Sequence, residues 1–473
     1  MIIMNQKETP FMDAVLKYVK KGIIPFHTPG HIQGKGVSKE FAEFFQYALA
    51  ADSAEVEHLE SHHDYEAARK EAEKLLADLY KVDRSFFLCN GTTEGIQALI
   101  LAYFTSQDTV LLPRNAHRSV VGGLILSGAK PKWVYPEIDR EWKVATVVET
   151  EKWLEQSQGV SGAFHLYPNY YGMCQDLEKQ VIDGLPNLVD EAHGVHLQFS
   201  DFFPKQALDF NITATVQSPH KILSSLTQSS WLHVKKKEDA ARISQVLGII
   251  ETTSPNFLLW SSLDAARALE AEDNNRWNET VFRVQNLRKV IKQISGFKIF
   301  EPTKSHTEIY AMDPLKLMVS ASDLGLDGFR FRDELRKRGI MPELAETEFV
   351  LFLITPAHQE KELAHLSKAL EDISQNGVKS NRERINVPIY PRLKTVISPK
   401  EAFFSTGVSV KLSEADGCIA QEMIIPYPPG IPLIMPGEQI TKEVIELTQY
   451  YKSLNWPLRG MEDKNTEFIR VIS

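Results

Sequence analysis

From about residue 85 to residue 235 the chain alternates two hydrophobic patterns. Short continuous apolar runs recur at Phe86-Phe87-Leu88, Thr109-Val110-Leu111-Leu112, Lys132 to Tyr135, Gly162 to Tyr167, Leu188-Val189 and Ala214-Thr215-Val216. Their length and β-branched content predict buried strands. Between them, one helix opens on the turn Asn90 to Gly95 and runs to about Phe104, and another apolar helix runs through Leu126. Strand and helix in alternation is the pattern of a doubly wound α/β sheet.

The flanks read differently. Phe11, Met12, Val15, Leu16 and Val19 share one face of a helix from Phe11 to Lys21, and Gly22 ends it. Pro25 to His31 is bracketed by prolines and cannot be helix. A second helix from about Asp64 carries Ala67, Ala68, Ala72, Leu75, Leu76 and Leu79 on its apolar face. A long helical run spans about Phe257 to Leu287. From about residue 300, short strands at Glu308-Ile309-Tyr310, Lys316-Leu317-Met318 and Phe349 to Ile354 surround a helix from Gly328 to Arg338, which predicts a smaller α/β domain. Ser380 to Arg384 is the clearest linker. Five prolines and two glycines between Pro426 and Gly437 exclude helix there. The resulting division is an arm at 1–50, a large domain at 51–299, a small domain at 300–379 and a C-terminal module at 388–473.

The composition is that of an ordinary globular protein, with 43% hydrophobic and 24% charged residues in a chain of 473. A net charge of −9 without any basic block argues against nucleic acid or an anionic membrane as the main partner. Cys89, Cys174 and Cys418 lie far apart and form no CxxC pair, which fits a reducing cytoplasm. The first residues lack the pattern of a signal peptide, and no apolar stretch approaches the ~20 residues that span a membrane. His62 and His63 are adjacent and cannot share one helix face, so no metal site is expected there.

Candidate chemistry centres on Asp190 and Lys221, 31 residues apart. Each directly follows a predicted strand, and ligands bind at the carboxyl ends of strands in open parallel sheets. A lysine amine can form a Schiff base with an aldehyde cofactor, and pyridoxal phosphate needs in addition an acid beside its ring nitrogen. Taken alone, such a pair is most simply a helix-capping acid and a surface lysine. Thr92 and Thr93 open a helix and offer hydroxyls beside unpaired amides, which suits a phosphate or an ordinary cap. The stretch is neither a Walker loop nor a GxGxxG fingerprint.

The surrounding words narrow the choice. Asp-Glu-Ala-His-Gly at 190–194, Ser-Pro-His-Lys at 218–221 and Leu-Thr-Gln-Ser-Ser at 226–230 recur with PFHTPGH at 25–31, NGTTEG at 90–95 and PRNAHRSV at 113–120. TTSP at 252–255, RGIMPE at 338–343 and YPPGIP at 427–432 follow in order. Together they resemble the ornithine/lysine/arginine decarboxylase family, in its shorter bacterial form, among the fold-type I pyridoxal phosphate enzymes. One departure is Glu60 to Tyr65, where the family usually carries an Asp- and Leu-rich word followed by a proline.

The resemblance implies a fold-type I α/β large domain with smaller C-terminal α/β parts, and pyridoxal 5'-phosphate as cofactor. It implies α-decarboxylation of arginine, lysine or ornithine to a polyamine-pathway amine and carbon dioxide. Lys221, Asp190, His117 and His193 would be catalytic. Asp190 would pair with the ring nitrogen, His117 would stack on the ring, Ala192 would let the ring lie flat, and His193 would reach the ring hydroxyl. Thr92 and Thr93 would seat the phosphate, and Ser218 and His220 would contact the phosphate or position the lysine. The N-terminal arm would lie near a subunit interface, and Thr253 would reach the phosphate of a neighbouring copy, making the protein a homodimer or larger. Glu343 and Glu422 are candidates for the end of the substrate pocket, and each also reads as a solvated or structural glutamate. An aminotransferase or aldolase on the same fold would use the same Asp and Lys, and a non-catalytic relative would keep the words without turnover. The YPPGIP module, which aminotransferases lack, favours the decarboxylase.

Overall fold

The computed structural model describes residues 4–55, 57–58, 61–62, 65–272, 275–376 and 391–473. The helices that matter here are α1 (Pro10–Lys20), α2 (Tyr65–Leu79), α3 (Gly91–Tyr103), α4 (Arg118–Ser127), α5 (Pro219–Ile222), α6 (Phe257–Glu272), α7 (Asn275–Gln293) and α8 (Gly328–Lys337). The strands are β1 (Arg84–Leu88), β2 (Thr109–Pro113), β3 (Lys130–Val134), β4 (Gly162–Leu166), β5 (Asn187–Asp190), β6 (Ala214–Gln217) and β7 (Ser230–Val234). Later in the chain come β8 (Lys298–Ile299), β9 (Lys316–Ser320), β10 (Leu344–Ala345), β11 (Val350–Leu353), β12 (Gly407–Lys411) and β13 (Phe468–Ile472). Among the described residues no helix is long and apolar enough to cross a membrane.

The chain forms two compact units. The first comprises Met1–Ala102, Leu188–Ser200 and Lys205–Asn275. Its strands run in the order β1-β7-β6-β5, with β5 and β6 parallel and β7 antiparallel to both its neighbours. Every residue of β5, β6 and β7 is buried, and the runs Leu188-Val189 and Ala214 to Val216 accordingly show no alternation of buried and exposed positions. The antiparallel β7 departs from the all-parallel sheet of a doubly wound pattern, because hydrophobic periodicity carries no information on strand direction. The connection from β5 to β6 holds only single 3₁₀ turns at Leu197–Phe199 and Ala207–Asp209. Helix α1 is fixed from outside its own sequence. The Asp264 carboxylate on α6 accepts from the amides of Phe11 (2.9 Å) and Met12 (3.3 Å), and Arg267 pairs with it at 2.9 Å. The Phe11 ring meets the Phe257 ring edge-on at 5.3 Å.

The second unit comprises Tyr103–Asn187, Asp201–Pro204 and Arg276–Ser473. Here β4, β2 and β3 are parallel neighbours in that order. A separate antiparallel sheet runs β8-β9-β11-β10, and β12 pairs antiparallel with β13. The helical run expected from Phe257 to Leu287 is two helices, α6 and α7, which fall in different units. The strand expected at Glu308 to Tyr310 begins one residue later than its own bounds end: the Ile309 amide donates to His306 O at 3.2 Å, the Tyr310 amide to Cys174 O at 2.8 Å, and the paired strand is Ala311–Met312. Gly339, at φ +76°, closes α8 as expected. The expected linker Ser380 to Arg384 and the histidine His63 lie outside the described residues.

Helix α3 closes tightly on the first unit's strands at Gly95. A Cβ there would lie 2.4 Å from Val216 Cγ1 and 2.9 Å from Leu88 Cδ1. Gly95→Ala therefore overpacks the contact, and urea denaturation should show a loss of about 1–3 kcal/mol. Unchanged stability would mean that α3 can shift off β6 at no cost.

Candidate active site

Parallel pairing places Asp190, the last residue of β5, opposite Val216 in β6. Ser218 follows β6, and Pro219 starts the single-turn helix α5 with its φ already suited to that role. Lys221 sits on that turn. Asp190 is 4% exposed, and its Oδ1 accepts from the Ala192 amide at 3.0 Å. Burial raises the Asp190 pKa, while the Lys221 charge and the Ala192 hydrogen bond draw it back.

Lys221 Nζ lies 2.8 Å from Nε2 of His193, another buried residue. The Thr92 hydroxyl, in the first turn of α3, hydrogen-bonds to the Ser218 hydroxyl and lies 3.0 Å from Ser230 Oγ. Ser230 Oγ in turn donates to Gln217 O at 2.6 Å. Thr93 is half-buried in the same helical turn. His220 Nδ1 lies 2.7 Å from Ser229 O, so that nitrogen carries the proton; burial lowers the His220 pKa.

Within the first unit, then, Asp190, Ala192, His193 and Lys221 gather at one set of strand ends, and Thr92 meets Ser218. Thr253 is exposed in the same unit, beside a hydroxyl contact of 3.1 Å between Thr252 and Ser254. His117 belongs to the second unit. It caps α4, with Nδ1 2.8 Å from Ser119 Oγ and accepting from the Ser119 amide at 3.3 Å. Glu343 is exposed and accepts from the Tyr170 hydroxyl at 2.7 Å. Glu422 accepts from the backbone amides of Glu462 and Arg470 at 2.8 and 2.9 Å, a structural role.

Sequence reasoning did not single out Glu191. It is fully buried, accepting from the Ala207 amide (2.7 Å), Gln217 Nε2 (2.8 Å) and Thr215 Oγ1 (3.3 Å). Gln217 Oε1 continues the chain to His233 Nε2 at 3.1 Å, and His233 Nδ1 meets Ser85 Oγ at 2.8 Å. The available signal was its place directly after Asp190, since neighbouring residues of an extended chain face opposite ways.

This donor set fits pyridoxal phosphate: an amine for the aldehyde, a buried acid for the ring nitrogen, and hydroxyls at a helix N-terminus for the phosphate.

Burial pushes the Glu191 pKa up to about 8 from an ordinary 4.5, against its three hydrogen bonds. Below about pH 4.5 the carboxyl keeps its proton whether the chain is folded or not. Between there and about pH 8 only the unfolded chain releases it, so this group makes the fold less stable as pH rises. Relative to the parent, Glu191→Gln should gain stability steadily across that window, read from urea midpoints at several pH values. A pH-independent difference would place the Glu191 carboxylate in its ionised form throughout.

Similarity to known proteins is extensive. The family model described as Orn/Lys/Arg decarboxylase, major domain, matches residues 9–362, and the C-terminal domain model of the same description matches residues 390–459. An arginine decarboxylase of Bacillus anthracis is 34% identical over 488 residues, covering 99% of this chain and 98% of that one. The crystal structure of a lysine decarboxylase from Francisella novicida superposes with TM-score 0.86 at 19% identity, covering 98% of this chain and 81% of that one. A solved structure of SPT with PLP superposes with TM-score 0.54 at 14% identity, over 78% of this chain and 85% of that one. The fold is the fold-type I α/β architecture expected from the sequence.

Proposed function

The chain belongs to the Orn/Lys/Arg decarboxylase family, and on that premise we propose that it is a pyridoxal phosphate enzyme removing the α-carboxyl group of a basic amino acid. Arginine is the first choice of substrate, because a relative 34% identical along the whole chain is an arginine decarboxylase; lysine and ornithine follow. The product would be an amine of the polyamine type. One observation carries the reading: a buried acid, a lysine amine and an imidazole meet at the carboxyl ends of two adjacent parallel strands.

Pyridoxal phosphate, when bound, supplies an aldehyde for the lysine and a ring that draws electrons from the substrate's α-carbon. Lys221 is assigned the aldehyde, Asp190 the ring nitrogen, and Thr92, Thr93, Ser218 and His220 the phosphate. Ala192 presents a small side chain beside Asp190 and holds that carboxylate through its amide. A carboxylate fixed in burial keeps a proton on the nitrogen it faces, because separating the two charges there is costly. Lys221 Nζ or a nearby acid is assigned the return of a proton to the α-carbon after carbon dioxide leaves. On the family resemblance alone, His117 is assigned ring stacking and Thr253 the phosphate of a neighbouring copy, so that the working unit is a homodimer or larger.

Purified protein should be incubated with each of the twenty amino acids and its products identified. A basic amino acid should yield its amine and carbon dioxide in equal amounts, from a species that light scattering shows to be at least dimeric. A keto acid product would move the protein to the aminotransferases. Cofactor binding without product from any amino acid would make it a non-catalytic relative, and full activity in a monomer would remove the role given to Thr253.

A further inference from the structure

We infer that His193 is the base that takes a proton from Lys221 Nζ, so that this nitrogen can bond to the cofactor's aldehyde carbon. The inference rests on the assignment of Lys221 made above and gives His193 a task other than reaching the ring hydroxyl. Free ammonium groups release a proton only near pH 10, whereas imidazole accepts one near neutrality. An ammonium group has donors and no acceptor, so across 2.8 Å the shared proton lies between Lys221 Nζ and His193 Nε2.

The backbone that carries His193 is fixed by its own turn. The Gly194 amide donates to Glu191 O at 2.9 Å, closing the turn that carries His193, and the Leu197 amide donates to Gly194 O at 3.0 Å. His193 is 4% exposed, so bulk water does not compete freely for Nε2. Among the described residues, Asp190 and His220 also feel the Lys221 charge. Asp190 on β5 is buried. His220 on α5 is held below its ordinary range by burial, with the Lys221 charge adding to this, and its Nδ1 proton is committed to Ser229 O.

His193 Nε2 takes one proton from the Lys221 ammonium group, and the freed electron pair forms the bond to the aldehyde carbon. The carbonyl oxygen leaves as water with two protons, one from Lys221 Nζ and one handed back by His193. One proton remains on the new carbon–nitrogen bond, and nothing is oxidised or reduced.

The test is the rate at which protein stripped of cofactor captures pyridoxal phosphate, followed by absorbance between pH 6 and pH 10 and independent of turnover. Borohydride reduction and peptide mass identify the lysine. The parent should capture at a rate that levels off near neutral pH and is slower in deuterium oxide. His193→Gln can still hydrogen-bond to Lys221 but cannot take its proton. It should capture about a hundredfold more slowly at pH 7, with a rate that climbs tenfold per pH unit. Equal rates and pH profiles in parent and variant would overturn the inference, as would equal parent rates in the two solvents should the variant not fold. Label on a lysine other than Lys221 would instead overturn the site assignment beneath it.

Discussion

A carboxylate removed from water at the end of β5 is the constraint on which the rest of the candidate site depends. Burying an ion costs several kcal/mol unless charge and hydrogen bonds answer it. At Asp190 they come from the Lys221 charge and the Ala192 amide. Both partners depend on the register of β5 against β6, in which Asp190 lies opposite Val216. A slip of one residue would turn Asp190 to the other face of the sheet. The burial of β5, β6 and β7 on both faces protects that register, and Gly95 lets α3 bring Thr92 close enough to reach Ser218.

The second unit solves a comparable problem around His117. Arg114, three residues earlier, donates to Pro432 O at 2.8 Å, Leu433 O at 3.1 Å and Glu438 Oε2 at 2.9 Å. Its side chain is 2% exposed and that of Glu438 1%, so the two charges answer each other out of contact with water, while Arg114 Nε and Glu438 Oε1 make no hydrogen bond. The same proline-rich stretch contacts His117 itself. The Arg118 amide donates to Gly430 O at 3.2 Å, and a Cβ on Gly430 would lie 3.0 Å from His117 Nε2. With φ at +100°, position 430 favours glycine, and any side chain there would also press on the His117 ring. This gives the YPPGIP word a physical content: it packs against the histidine that caps α4.

Much of this was legible in the sequence. The strand carrying Asp190 and the turn carrying Lys221 could be placed because buried strands are short apolar runs and the words after them are polar. The 2.8 Å contact between His193 and Lys221 was not legible, since spacing locates strand ends but not the path of the turns beyond them. Nor was the network around Glu191, because an acid next to an acid reads first as solvated. The division of the helical run into α6 and α7 and the antiparallel course of β7 were missed for the same kind of reason: periodicity encodes which face is apolar, not where a helix stops or which way a strand runs. Thr92 could be read as a helix opener, but its hydroxyl contact with Ser218, 126 residues away, is a product of the fold.

The central claim is that Asp190 acts through its charge. Asn has nearly the same shape and keeps an oxygen for the Ala192 amide, so Asp190→Asn should fold and bind pyridoxal phosphate. The measurement is the rate of carbon dioxide release from the preferred basic amino acid by the cofactor-saturated variant. The expected loss is about two to three powers of ten or more, the scale of an electrostatic contact that acts in the transition state. A variant that releases carbon dioxide within a few-fold of the parent would show that Asp190 is only a structural acid at the end of β5, and the account would be wrong.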